Sequence, residues 1–212
     1  MDIPIHSAHS ASPFAINPKE VEQLAQRYGR PVYRQCDIQA DAYIRSHRWR
    51  AEPDRRGEVV FAIRQPNGRI LLHTKRSYRQ PIYRLPTGGI RPDEAVEAAL
   101  YREVDEETGQ EVVVERFLGI LDCCFHYNGS QVRFPSYVFY LRSLTSQLES
   151  RDGEVLHFRT VSLPRLRWVA AGLRSLNGDR RSWGQWRALA HDLVYQLLRP
   201  RVPPSKTPGR NG

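Results

Sequence analysis

The sequence predicts an α+β fold, a sandwich in which hairpin-forming strands and flanking helices surround one central helix. Three observations lead there. Short apolar runs joined by tight-turn residues occupy 59–72 and 112–144, a sharply bounded helical segment spans 93–109, and two amphipathic segments follow at 163–173 and 183–198. Hairpins and helices mixed in this way bury their apolar faces by layering helices against a sheet. At 212 residues the chain is long enough for one sizeable core with peripheral additions and too short for two full-sized domains.

Residues 1–17 are rich in Ser, Ala, His and Pro without periodicity, and 199–212 are Pro-rich and basic, so both read as disordered tails. Over Pro18–Tyr28 the spacing of Val21, Leu24, Ala25 and Tyr28 predicts a helix closed by Gly29. The Arg-laden stretch 31–55 yields no clear element, so 18–56 reads as a helical or irregular extension before a domain at 57–198. Val59–Ile63, the Pro66-Asn67-Gly68 turn and Ile70–Leu72 predict strand, turn and strand. Val112–Tyr127 and Val132–Leu144 predict a second pair, with Asn128-Gly129 supplying the positive φ angles of a tight hairpin. Val155–Val161 reads as a further strand. Leu163–Leu173 and Trp183–Leu198 read as helices, the second with Trp186, Leu189, Leu193 and Leu197 along one stripe.

The formal charge of +9, almost all of it Arg, sets up a field that favours anionic ligands such as phosphates or nucleic acid. Three cysteines, Cys36, Cys123 and Cys124, cannot all pair internally, and no spacing suggests zinc. They read as small buried hydrophobes or free thiols in a reducing compartment. With no signal-type apolar segment at the start and no run near the roughly 20 apolar residues of a membrane span, a cytoplasmic protein without a membrane partner is expected.

The segment Asp93–Gly109 carries the chemistry. Asp93 is expected to cap the helix, Glu94 and Glu97 suit its positive end, and Gly109 suits a left-handed terminus. At about 100° per residue from Glu94, the apolar Ala95, Val96, Ala99 and Leu100 share an arc of about 100° to 240°. Glu103, Glu106 and Glu107 fall at about 180°, 120° and 220°, so the apolar face turns acidic within the same helix. Crowded, partly desolvated carboxylates repel one another unless cations neutralise them, and hard divalent cations prefer oxygen donors. Spacing alone leaves a solvated Glu-rich helix as the competing reading.

Residues 88–110 remove that competitor. Gly88, Glu94, Arg102, Glu103, Val104, Glu106, Glu107 and Gly109 all stand at the spacing of G-x5-E-x7-R-E-U-x-E-E-x-G-U, where U is bulky and aliphatic; a chance match has odds of about one in a million. The segment resembles the Nudix box, and only the last position, Gln110, departs from it. The resemblance implies an α/β/α sandwich with a mixed central sheet and a Nudix-type diphosphatase activity. It implies further that Glu103, Glu106 and Glu107, with the Gly88 carbonyl, hold Mg²⁺ or Mn²⁺, and that Arg102 holds a box glutamate in place. The general base is sought among Glu106, Glu107 and Glu154, the last in the loop 150–155.

Ligand selection must come from outside the box. Arg76 after the second strand is a candidate for phosphate contact, and Tyr83 and Tyr127 are candidates for stacking on a base. Tyr127 stands 18 residues past Gly109, close to where Nudix enzymes that split dinucleoside polyphosphates carry a tyrosine. The proline that marks many ADP-ribose pyrophosphatases is replaced by Cys124-Phe125-His126. The expected substrate is therefore a nucleoside diphosphate linked to another moiety: ADP-ribose, a dinucleoside polyphosphate or an NTP-like molecule. RNA 5′ pyrophosphate removal, motivated by the charge, and a non-catalytic nucleotide-sensing module are the alternatives, and a homodimer is compatible with either.

Overall fold

A computed structural model describes residues 16–48 and 54–200. The tails expected at 1–17 and 199–212 fall, but for two residues each, outside the described residues. In chain order the elements are α1 (Pro18–Tyr28), β1 (Val32–Gln39), α2 (Ala42–Arg48), β2 (Gly57–Arg64), β3 (Ile70–Lys75) and β4 (Thr87–Ile90). These are followed by α3 (Val96–Thr108), β5 (Val112–Tyr127), β6 (Ser130–Ser143), β7 (Val155–Val161), α4 (Leu166–Arg174) and α5 (Arg181–Leu198). The expected α+β sandwich is present, and its sheet is mixed: β1–β5 and β6–β2 are parallel, β5–β6 and β3–β7 antiparallel. Strand order is β1-β5-β6-β2-β3-β7.

β2 is the central element. Its apolar run is buried on both faces, as a strand covered by helices on both sides must be. Val59, Phe61 and Ile63 meet Leu24 of α1 and Val96, Ala99, Leu100 and Val104 of α3. Val60 and Ala62 face the opposite core, built with Ile44 of α2, Leu166 and Leu173 of α4, and Trp183, Trp186 and Leu193 of α5. One edge of β2 is shared: Gly57–Val60 pair with β4, while Arg64 pairs with Ile70 of β3. The sheet forks there, and α3 lies beside the fork.

At the hairpin tip Asn128 and Gly129 adopt φ of 46° and 77°, the positive pair a two-residue turn requires. The stretch 31–55, which shows no clear element in the sequence, supplies the edge strand β1 and the helix α2. One expectation is corrected. Asp93 does not cap α3, which begins at Val96 with Ala95 as its N-cap. Glu20 of α1 does that work across the fold: its Oε1 accepts the Val96 N–H at 2.7 Å, and Arg56 donates to the same carboxylate at 2.9 Å.

His191 fastens α5 to the segment leading into β4. Its Nε2 accepts the Leu85 N–H at 3.0 Å, so Nδ1, 2.8 Å from the Arg187 carbonyl, carries the proton and donates. Burial pushes the imidazole down to about 3. A base depressed in the folded state contributes its full stability above its unfolded value of about 6.5 and loses it as pH falls toward the folded value. His191→Gln should therefore flatten the dependence of unfolding free energy on pH between 6.5 and 4 by about 1.4 kcal/mol per pH unit. Urea titrations across that range measure it, and equal slopes in both proteins would show that His191 already titrates while folded.

Candidate active site

The three box glutamates stand on the last turns of α3, where the helix passes the fork. Arg102 organises two of them. Its Nε and Nη2 donate to the two oxygens of Glu94 at 2.7 and 2.8 Å, and Nη2 also donates to the Gly89 carbonyl at 2.8 Å. Nη1 donates to Glu103 Oε1 at 2.8 Å and to Glu106 Oε2 at 2.9 Å. All five guanidinium N–H groups are thereby used. Glu103 lies against β4 so closely that a Cβ on Gly88 would stand 1.9 Å from its Cδ. Only a glycine lets the carboxylate and the strand backbone meet.

Glu107 is separate and fully buried. Lys75, at the end of β3, places Nζ 2.8 Å from Glu107 Oε1 and 2.6 Å from Glu154 Oε2. Glu107 Oε1 is thus paired with an ammonium, while Oε2 has no hydrogen-bond partner. His73 Nδ1 lies 3.5 Å from Glu107 Oε2, and its ring nitrogens are likewise without hydrogen bonds. Burial pushes the Glu107 carboxyl up to about 7, against the opposing pull of Lys75 and Arg84. Burial, with the nearby Arg84, Lys75 and Arg187 charges, holds His73 well below the usual imidazole range and therefore neutral. Glu103 is also raised by burial, with Arg102 opposing.

Glu154 reaches this place because its loop finishes α3. The Glu106 carbonyl accepts from the Arg151 and Asp152 N–H groups at 2.8 and 3.2 Å, and the Thr108 carbonyl from Glu149 N–H at 3.0 Å. Helix-end carbonyls need such partners, and the loop supplies them. Gly109 ends the helix in the left-handed conformation, φ 62°. Gln110, the departure from the box, is buried in a reciprocal amide pair with Gln65 at 2.9 and 3.1 Å.

Among the other expected site residues, Arg76 flanks Glu154, donating from Nε to the Gly153 carbonyl at 2.9 Å. Tyr83 packs beneath Arg159, whose guanidinium carbon is 4.0 Å from the ring centroid. Tyr127 ends β5 at the hairpin tip, where Arg45 lies 5.3 Å from its ring, and is not brought to the carboxylate helix. Sequence reasoning misses His73 and Arg84. Arg84 is fully buried, donating to the Tyr78 hydroxyl, the Leu85 carbonyl and Thr87 Oγ1 at 2.8, 2.7 and 3.0 Å. The polar His73 and Thr74 after the apolar Leu71-Leu72 are the available signal for the first.

A cleft of about 610 Å³ opens between α1 and the start of α3, but its carboxylates Glu20 and Glu94 are already matched to Arg56 and Arg102. Among the described residues, donor atoms of Asp37, Cys124 and His126 all lie within 4.8 Å of one another, at the β1–β5 edge; Asp37 is mostly exposed and ion-paired with His126 at 2.7 Å. The glutamates of α3 are not gathered as tightly, because Arg102 and Lys75 draw them to two different cations. Their donors are nonetheless what a hard divalent ion takes: carboxylate oxygens, one of which, Glu107 Oε2, is buried without a hydrogen-bond partner. The residues fit such an ion.

The NUDIX domain family matches residues 54–183. This chain belongs to the Nudix hydrolase superfamily. Among curated proteins none matches it. Solved structures similar to this Nudix chain include an ADP-ribose pyrophosphatase from Streptococcus suis 89-1591, 20% identical, covering 68% of this chain and 92% of that one with a TM-score of 0.45. They also include the MutT protein of Methanosarcina mazei Go1, 21% identical over 66% and 90% of the two chains, TM-score 0.43. A third is the E. coli dihydroneopterin triphosphate pyrophosphohydrolase, 18% identical over 66% and 94%, TM-score 0.43. The assignment rests on the domain match.

Removing one partner of a buried ion pair strands the other charge. Lys75→Met should cost about 3 kcal/mol of stability at pH 8, and Lys75→Met combined with Glu107→Gln should recover most of that loss. Chemical denaturation of the four proteins completes the cycle; additive losses would mean that the two side chains are not coupled.

Proposed function

We propose that residues 57–198 form a catalytic domain that hydrolyses the diphosphate linkage of a nucleoside diphosphate joined to another moiety, with Mg²⁺ or Mn²⁺ held by Glu103, Glu106, Glu107 and the Gly88 carbonyl. One observation carries this reading: the fully buried carboxylate of Glu107, its Oε2 without a hydrogen-bond partner, on the same helix as Glu103 pressed against Gly88. When bound, such an ion neutralises phosphate oxygens and acidifies water. The chain's own residues do the remainder. Arg102 fixes Glu103 and Glu106 on one guanidinium, so their carboxylates are oriented before any ligand arrives. Lys75 offers positive charge to a phosphate oxygen at the fork. Glu154, more than half exposed and held by Lys75, faces solvent and accepts the proton of the attacking water. Positive charge on Arg76, next to Glu154, favours the anionic substrate at the mouth of the site.

Glu106→Gln and Glu107→Gln are each expected to lower kcat by about a hundredfold or more while preserving the fold, measured as Mg²⁺-dependent release of mononucleotide from a panel that includes ADP-ribose and dinucleoside polyphosphates. Wild-type turnover in both variants would sink the mechanism. Chelation with EDTA should abolish turnover and leave the circular dichroism spectrum unchanged, with recovery on adding Mg²⁺; full activity in EDTA would remove the metal from the reading.

A further inference from the structure

On the face of the sheet away from α3, three arginines are threaded between aromatic rings. The Arg180 guanidinium lies 4.1 Å from the Tyr43 ring centroid and 5.3 Å from that of Trp183. Arg187 lies 3.8 Å from Trp186, and Arg48 lies 4.0 Å from Phe134 and 5.5 Å from Trp186. Stacking satisfies the faces of the guanidiniums and leaves their edges to find acceptors. Arg187 finds Glu58, through Nη1, at 2.7 and 2.8 Å. Arg48 and Arg180 form no ion pair among the described residues. Arg48 Nε, Arg180 Nη1 and Arg187 Nε are all buried without a hydrogen-bond partner.

Among the described residues only Glu58 is hydrogen-bonded to any of the three guanidiniums, and three buried donors without partners are costly unless an anion completes the set. Burial pushes Arg48 down to about 10, a depression that Glu58 and Asp54 only partly oppose and that Arg187 and Arg55 reinforce. The cluster is also adjacent to the candidate active site. Glu58 pairs in register with Gly89 of β4, and the neighbouring Gly88 backs Glu103 on the other face. The arginines and the carboxylates therefore lie on opposite faces of the same β2–β4 pair.

We propose that Arg48, Arg180 and Arg187 form a phosphoryl-binding site, and that the substrate carries a phosphomonoester in addition to its scissile diphosphate. The first half stands on the arginine cluster alone, and the second rests on the diphosphatase reading.

The full chain in EDTA, where metal-dependent binding at α3 is silent, is titrated with inorganic phosphate against chloride of equal ionic strength, by calorimetry and by tryptophan fluorescence. Saturable phosphate binding is expected, weakened at least fivefold in Arg48→Gln and in Arg180→Gln. These two are chosen because loss of Arg187 would strand Glu58. Both variants should melt at or above the wild-type temperature without phosphate and gain less from it. No saturable binding, or binding that neither substitution weakens, overturns the site. In Mg²⁺ the kcat/KM for 2′-phospho-ADP-ribose should exceed that for ADP-ribose at least tenfold, through KM, with the ratio collapsing in both variants. Equal values in the wild type overturn the substrate assignment. Arginine-dependent phosphate binding with neither compound hydrolysed upholds the site and overturns the substrate assignment, whereas no Mg²⁺-dependent turnover across the whole panel refutes the diphosphatase reading.

Discussion

One guanidinium holds this end of the molecule together. Arg102 directs its five donors to Glu94 in the loop before α3, to the Gly89 carbonyl of β4, and to Glu103 and Glu106 of its own helix. Its partners are three carboxylates and one strand carbonyl, so it fixes the distance between helix and strand as well as the local charge. A lysine could not span this set, because a compact ammonium has three donors and no planar fork. The position of Glu103 against Gly88, and hence the shape of the oxygen-donor cluster, follows from this one side chain.

The second organising feature is the fork in the sheet. Because β2 shares an edge between β4 and β3, the side chains of Lys75 and His73 come beside Glu107 without closing a regular ladder over it. The charges there are arranged asymmetrically: Glu107 is met by one lysine and a neutral imidazole, while Glu103 and Glu106 share an arginine that binds them in fixed geometry. The loop that carries Glu154 is anchored by the carbonyls at the end of α3, so Glu154 and the box glutamates are positioned by the same helix.

Much of this is legible in the amino-acid sequence. The C-terminal end of α1, the β5–β6 hairpin and the stop of α3 are set by residues whose backbone preferences are strong, Gly29, Asn128-Gly129 and Gly109. The box glutamates are legible because their spacing with Gly88, Glu94 and Arg102 is rare. What escapes is non-local. β1 is an edge strand on which Ile38 is the only fully buried side chain, so its apolar alternation is faint. Asp93 is a reasonable cap by composition, but a carboxylate from α1 outcompetes it, and no window around Asp93 contains Glu20. His73, Arg84 and the arginine–aromatic cluster are assembled from segments far apart in the chain, each bland alone.

Where the box usually ends in an aliphatic residue, Gln110 faces Gln65 in a pair of mutually donated amide bonds shut away from water. An aliphatic side chain packs with any neighbour of suitable volume, whereas an amide demands a partner of matching polarity and direction. Reverting Gln110 alone toward the usual residue would leave Gln65 with buried donors and acceptors unmet. The two positions are therefore energetically coupled: a change at one is borne best when the other changes with it, and either change alone leaves a buried amide unmatched.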